Sequence, residues 1–339
     1  MSVTIKDVAR LAGVSVGTAS MAVNGKPGVN AETKARVLAA AGQLDYYPNQ
    51  AARNLIHRKT STLGLIVTDI TNPFFAGIVD EVRQAAEQAG FKLILGVSGD
   101  RTGEERRYVA EFVEQGIEGL IVVPVAEREP DLSHLRRLRK LGIPFVYLST
   151  AYRALPAPCA MTDLAAGVDA LVGYLLDCGH RRICFLTGQP DLMLTLKRTE
   201  GYARAYAARG LTWEPDWLMP AYPDFQHGYA AADRIVSAGQ PLPDAIITVN
   251  DIMAMGVLKA LKDRGCQVPD DISVAGFDDL IYSALLETPL TTVRQPVPAL
   301  CRMAVGILLE LIQGRSGDSR LIEPELVIRQ STGCRSRPK

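Results

Sequence analysis

Residues 4–25 read TIKDVARLAGVSVGTASMAVNG, and the spacing of their apolar side chains decides the fold of the N-terminal region. Ile5, Val8, Ala9 and Ala12 recur at i, i+3, i+4 and i+7, one face of a helix, behind Thr4, a residue type that caps helix N-termini. Gly13 stops that helix. Ser15 is placed to cap a second helix over Val16 to about Asn24, and the Gly13-Val14-Ser15 gap has the length of the turn in a helix-turn-helix. Asn24-Gly25 ends the second helix, and Asn30 caps a third, roughly Ala31 to Leu44, with Val37, Ala40, Ala41 and Leu44 on its buried stripe. These elements predict an all-α head over residues 1–47. In such a unit the start of the second helix enters the major groove, so Val16, Gly17, Thr18, Ser20 and Met21 are candidates to face bases and phosphates, with Thr4, Ser15 and Asn24 completing the DNA-facing set. The helical pattern alone also fits a small bundle that binds a protein partner.

Charge favours DNA. Residues 1–60 carry eight Lys/Arg against three Asp/Glu, a balance of +5 that leaves −5 for the rest of a chain neutral overall. A basic head on an acidic body suits contact with a polyanion. A length of 339 residues exceeds one usual core, and 47% hydrophobic with 22% charged residues describes a soluble globular chain of two or three units. The six cysteines (Cys159, Cys178, Cys184, Cys266, Cys301, Cys334) form no C-x-x-C pair and no Cys/His cluster at ligand spacing. They read as small hydrophobes in a reducing compartment, and neither metal nor cofactor is expected. The N-terminus has no apolar run of signal-peptide type and no later stretch approaches ~18 apolar residues, so a cytoplasmic location without membrane contact is expected.

The run 4–25, followed by YYPNQAARNL at 46–55, resembles the head of the lactose/galactose-repressor (LacI/GalR) family of bacterial regulators. Many members carry Arg at the position of Met21, and larger or polar residues at those of Val16 and Gly17. A bidentate Arg contact to guanine is therefore missing at Met21, and an apolar contact such as one to a thymine methyl replaces it. Residues 48–61 form a linker. Pro48 breaks the third helix, and 49–57 could form about two helical turns, which are marginal alone in water and so can fold in one state and fray in another. The resemblance implies a hinge helix that orders on DNA, inserting Leu55 into the minor groove with Ala52 allowing close approach and Asn49 beside them. Such a wedge reads deformability. Alternatively, Leu55 packs on the body. His57, Arg58 and Lys59 extend the phosphate footprint.

From Thr62 the chain alternates apolar runs (TLGLIVT, FKLILGV, GLIVVP, IPFVYLS) with helical stretches, and a second such series (RRICFLTG, AIITVN, SVAGF) follows. Two α/β sheets in tandem predict two lobes with a ligand cleft at the strand carboxyl ends. The resemblance extends over essentially the whole chain, strongest at the head, TNPFF, GHRRI, NDIMAMG and GFDD. It implies a two-lobed body over 62–339, like a type I periplasmic sugar-binding protein. The chain would cross between lobes near Thr162, Thr292 and Pro324, giving an N-lobe of about 62–162 and 292–323 and a C-lobe of about 163–291 and 324–339.

Residues at strand ends are the candidates for effector binding. By the resemblance Arg198, Asn250 and Asp278 hydrogen-bond the ligand, Phe74 and Phe225 stack on it, and Asn72 lies beside them. Asp251 reads as the N-cap of the helix that follows. Phe75 fits core, dimer contact or pocket wall, and Arg198 could instead be a structural ion pair. His180 shapes a turn. The stretch 191–196, DLMLTL, is apolar where many relatives carry hydroxyl residues, so either the ligand is less polar on that side or the loop packs inward. No phosphate-loop, nucleophile-elbow or zinc-protease motif is present, and an enzyme is not expected. A near-palindromic operator implies a homodimer. The tail QSTGCRSRPK lacks the heptads of a tetramer-forming helix. The expectation is a transcriptional regulator, a repressor, switched by a sugar or sugar derivative bound between the two lobes, with a nucleobase or nucleoside corepressor as alternative. A transporter's solute-binding protein would lack the basic head.

Overall fold

Thr4 donates its backbone N–H and its hydroxyl to the Asp7 carboxylate at 3.0 and 2.7 Å, and this reciprocal cap starts helix α1 (Ile5–Ala12). Gly13 ends it at φ 66°, a left-handed conformation that costs glycine nothing. The Ser15 hydroxyl accepts the Thr18 N–H at 3.0 Å and opens α2 (Val16–Val23). Asn30 accepts the Thr33 N–H at 2.8 Å and opens α3 (Ala31–Gln43). Each such cap contributes about 1 kcal/mol. The shared core consists of alanines around Val8 and Val37, small side chains that let three short helices approach closely.

This computed structural model describes residues 3–46, 60–127, 129–238 and 241–334. The chain divides into two compact units at Thr60/Ser61. The second unit begins with β1 (Thr62–Val67), α4 (Pro73–Gln88), β2 (Lys92–Val97), α5 (Thr102–Glu114), β3 (Gly119–Val122), α6 (Ser133–Lys140), β4 (Phe145–Leu148) and β5 (Cys159–Thr162). It continues with α7 (Leu164–Asp177), β6 (Ile183–Thr187), α8 (Met193–Ala207), β7 (Leu218–Pro220), α9 (Phe225–Ser237), β8 (Ala245–Thr248), α10 (Asp251–Asp263), β9 (Ser273–Asp278) and β10 (Thr291–Arg294). Helix α11 (Val297–Ile312), β11 (Arg320–Ile322) and β12 (Glu325–Val327) complete it.

The strands form two sheets, β11-β5-β4-β3-β1-β2 and β12-β10-β9-β8-β6-β7, with every pairing parallel except β10 with β12. Their central strands are buried along nearly their whole length, as parallel strands covered by helices on both faces must be. The chain passes from one sheet to the other after Thr162, after Arg294 and after Ile322. At the second and third passages Arg294 bonds both Asp279 and Glu325, and Arg329 bonds the other oxygen of Asp279.

Three sequence expectations change. Helix α11 has no counterpart in the sequence reading, yet Leu300, Cys301 and Ala304 enter the core of the first lobe. The stretch 191–196 is not a free loop, because α8 begins at Met193. Cys178 and Cys334, 156 residues apart, are joined as a disulfide, because the chain after β12 returns to the end of α7. The other four cysteines are free, and burial pushes the thiols of Cys159, Cys184 and Cys301 up to about 12, which leaves them inert hydrophobes.

Candidate functional site

Two regions of the chain carry site chemistry. On α2 the capping of Ser15 directs Ala19 and Ala22 into the head core and leaves Val16 and Gly17 exposed, with Ser20 and Met21 half-buried on the same outward side. Thr18 shares its hydroxyl with Ser15 at 2.8 Å, and Asn24 turns back to the Ser20 carbonyl at 2.7 Å. Of the expected DNA-facing set, Val16, Gly17, Ser20 and Met21 thus share one surface, whereas Thr4, Ser15, Thr18 and Asn24 serve local bonds. Asn49, Ala52 and Leu55 lie outside the described residues.

The second region is a cavity of about 220 Å³ between the two sheets of the body. Strand ends and helix starts build its wall, as expected for α/β sheets. Asn72, the cap of α4, accepts the Phe74 N–H, and Phe74 and Phe75 follow it into the wall with their rings edge to face at 5.3 Å. Asn250 caps α10 by accepting the Met253 N–H at 2.8 Å and donates to the Pro223 carbonyl. Arg198 projects from α8, and Asp278 ends β9. Asn72, Phe74, Arg198, Asn250 and Asp278 therefore come together in one cavity. Phe225 does not: it begins α9 and is 42% exposed, and Tyr222, Pro223 and Asp224 line the wall instead.

Arg198 carries the least compensated charge in the site. It is 9% exposed, stands over the Phe277 ring at 4.9 Å, and makes no salt bridge among the described residues; its Nε has no hydrogen-bond partner. The structural ion-pair reading of this residue therefore fails. Burial lowers its pKa to about 10 against the opposing pull of Asp278. Burial, then the charge of Asp251, push the Asp278 carboxyl well above its usual range, while Gln295 donates to it at 2.7 Å. The Gln295 Oε1 is also buried without a partner. Asp278 and Asp279 hold φ of 115° and 56°, conformations that cost non-glycine residues about 1–3 kcal/mol and cluster at binding sites. Two unmatched buried polar atoms, beside a carboxyl and a guanidinium that do not pair directly, call for a ligand that both donates and accepts.

Asp251 is not the helix cap, a role Asn250 fills. Its fully buried carboxylate accepts the Leu280 N–H, the Ser283 hydroxyl and the Thr292 hydroxyl at 2.8, 2.6 and 2.6 Å, and so fixes the turn after Asp278. Burial still pushes its pKa up to about 6. A folded-state pKa above the unfolded value of 3.8 contributes stability that is present below pH ~4 and lost as pH rises through ~6, on the order of 3 kcal/mol. The unfolding free energy of the protein minus that of Asp251→Asn should accordingly shrink between pH 4 and 7; urea titrations across that range measure it.

Sequence reasoning missed a second network. Glu105 is fully buried and bonds His134 Nε2 at 2.6 Å and the Tyr152 hydroxyl at 2.8 Å, and that hydroxyl accepts the Val125 N–H at 2.9 Å. It ties the loops after β3 and β4, both of which line the cavity, and its members sit too far apart in sequence for any motif to reveal. His180 is buried between the Leu175 carbonyl and the Ser273 hydroxyl, a turn-shaping role. Among the described residues no three metal-ligating side chains cluster, and no helix is long and apolar enough to cross a membrane.

A helix-turn-helix unit joined to a two-sheet body, with a largely apolar cavity between its sheets into which a few polar groups converge, defines the class of ligand-responsive DNA-binding regulators. Residues 4–49 match the model described as bacterial regulatory proteins, lacI family, and residues 172–332 match the periplasmic binding protein-like domain. The HTH-type transcriptional repressor PurR of Photobacterium profundum is 34% identical over 97% of this chain and 98% of its own. Among solved structures, the lac repressor dimer bound to operator and the anti-inducer ONPF superposes with a TM-score of 0.86 at 26% identity, over 98% of this chain and 99% of that one. The CelR–cellobiose complex superposes at 0.72 with 28% identity, over 97% and 99%. The chain belongs to the lacI family of bacterial regulatory proteins: it is a DNA-binding transcriptional repressor, not an enzyme.

Proposed function

We propose that the chain acts in the cytoplasm as a homodimer on a near-palindromic operator, and that a small molecule held between its lobes by Arg198, Asp278 and Asn250 sets operator affinity. The observation that carries this reading is the cavity floor, where Arg198 and Asp278 face one space without bonding each other. A ring bearing adjacent donor and acceptor groups satisfies both, with Phe74 against its face and Asn72 at its edge. A sugar or sugar derivative has that pattern in its vicinal hydroxyls. A nucleobase has it in neighbouring ring N–H and carbonyl groups, and the relatives named PurR favour this second reading. Residues 49–57, with Leu55 as the minor-groove wedge, couple ligand to DNA, and a coupling of ~1–3 kcal/mol changes operator affinity ~5–150-fold.

A second copy of the chain accounts for the most exposed apolar surface of the body: Ile281, Tyr282 and Leu285 are 74%, 52% and 75% exposed within five residues. The proposal is tested by selecting bound duplexes from a random DNA pool with the purified protein, alone and with pooled sugars or nucleobases. Enrichment of a palindrome that responds to one pool supports it; no enrichment under any condition ends it. The same selection on Met21→Arg should gain a guanine at one position of each half-site, with a discrimination of ~1–3 kcal/mol against other bases and a steeper salt dependence.

A further inference from the structure

We infer that Cys178 and Cys334 form a reversible redox modification site: as a dithiol the pair is open, a peroxide closes it to the disulfide, and the closed form locks the C-lobe against unfolding. The inference is independent of which effector the cavity holds. The two sulfurs are bonded although 156 residues separate them, and hydrogen bonds on both flanks hold the cysteines together whether or not that bond is made. On the tail side, the Ser331 hydroxyl donates to the Val274 carbonyl at 2.6 Å and accepts the Thr291 N–H at 2.7 Å, and Thr332 shares its hydroxyl with that of Thr291 at 2.8 Å. On the helix side, the Cys178 N–H bonds the Tyr174 carbonyl at 2.9 Å, and the Arg181 guanidinium closes the turn on the Leu176 and His180 carbonyls at 2.8 and 2.7 Å. One hydroxyl joins the two sides: Ser273, at the start of β9, accepts the Gly333 N–H at 3.3 Å and bonds His180 Nε2 at 2.9 Å. Opening the sulfur–sulfur bond therefore leaves two thiols side by side at high effective concentration, ready to close again.

Exposure makes the pair selective. Cys334 is exposed and Cys178 half-buried, whereas Cys159, Cys184 and Cys301 are buried and Cys266 is only half-buried with its thiol free. Cys334 is thus the sulfur a peroxide meets first. Its thiolate attacks the peroxide, an S–O bond forms as the O–O bond breaks, and hydroxide leaves a sulfenic acid. The Cys178 thiolate then attacks that sulfur, forming the S–S bond as the S–O bond breaks and a second hydroxide leaves. Two thiols lose two electrons and two protons, and the peroxide becomes two waters. Reduction runs by exchange: one glutathione thiolate opens the bond as a mixed disulfide, a second releases it, and glutathione leaves as its own disulfide. In a reducing compartment the dithiol is the resting form, and a disulfide there is transient and oxidant-dependent. The closed form encloses the chain from the end of α7 to the tail, so it restricts the unfolded state of the whole C-lobe. It leaves the cavity alone, because Ser273 begins the strand that Asp278 ends, about 16 Å away along β9.

The test takes the full chain, fully reduced, and exposes it to hydrogen peroxide and then to excess reduced glutathione, with peptide mapping by mass spectrometry at each stage. A peptide joining Cys178 to Cys334 should appear with peroxide and vanish with glutathione, its half-point lying within the range of glutathione buffers. The oxidised protein should melt roughly 5–10 °C above the reduced one. Affinity for the selected operator should stay within about twofold between the two forms. Cys178→Ser should leave a sulfenic acid on Cys334 that a 1,3-diketone probe traps, and Cys334→Ser should leave no such adduct on Cys178; both should melt alike with and without peroxide. Cys266→Ser should behave as the unaltered chain. Failure of the joined peptide to form overturns the inference, as does a bond that excess glutathione cannot open, which would make it a permanent staple. Equal melting temperatures of the two forms, or an operator affinity that changes with oxidation, would overturn the lock.

Discussion

Replacing Arg198 by Met should weaken effector binding about 100-fold or more and raise the effector concentration needed to shift operator binding by the same factor. The guanidinium is 9% exposed and its Nε has no partner in the protein, so its hydrogen-bonding capacity is available to the ligand. Truncating one member of a buried, charge-assisted contact typically costs 2–5 kcal/mol, or about 30- to 5,000-fold. The same substitution should hold or raise the melting temperature of the free protein. A buried charge that burial already drives toward a pKa of about 10 is costly to keep, and a similar-sized apolar chain over the Phe277 ring is not. Calorimetric titration with the effector and a melting curve of the free protein measure the two effects. A variant that binds effector normally would take Arg198 out of the site, and a fall in melting temperature would give it a structural role instead.

Legibility in the sequence follows the distance over which each residue acts. The head is readable because capping and helical periodicity operate within four residues: Thr4 with Asp7, Ser15 with Thr18, Asn30 with Thr33. Arg198, Asn250 and Asp278 are readable through the family resemblance, Asn250 and Asp278 also as polar residues at strand ends, and the three do meet in one cavity. Asp251 is misread because an acid ahead of an apolar helix looks like a cap, whereas its partners lie 29 to 41 residues downstream and are brought to it by β9 and β10. Phe225 is misread for a related reason. The helix begins at Phe225 itself with Asp224 as its cap, so the Phe225 side chain leaves the wall, and Tyr222 takes the aromatic place. The Cys178–Cys334 contact depends on a late passage of the chain between sheets, for which sequence carries no local signal, whereas helix α11 does carry one, with Leu300, Ala304, Ile307 and Leu308 at helical spacing behind Pro298.

The shape of the C-lobe depends on an approach of two backbones. Helices α9 and α10 cross with Gly256 against the Phe225 carbonyl and Gly228 against the Met253 carbonyl, and a Cβ built on either would lie 2.0 or 2.2 Å from that oxygen. Backbone cannot swing aside as a side chain can, so Gly256→Ala must separate the helices. Overpacking usually costs 1–3 kcal/mol and here should reach about 3, net of the ~1 kcal/mol that alanine gains in helix propensity. For a domain of this size that lowers the melting temperature by roughly 6–12 °C. The site should suffer as well, since α9 and α10 carry Asp224 and Asn250 at their starts and the crossing sits one turn away from each. Gly306→Ala, in the interior of α11 with nothing within 4 Å of the added carbon, is the matched control and should be neutral or stabilising by up to ~1 kcal/mol. Melting curves of both variants decide the matter: opposite signs place the cost in the helix crossing, whereas equal losses would mean that glycine is needed at these positions for some reason other than the approach of the two backbones.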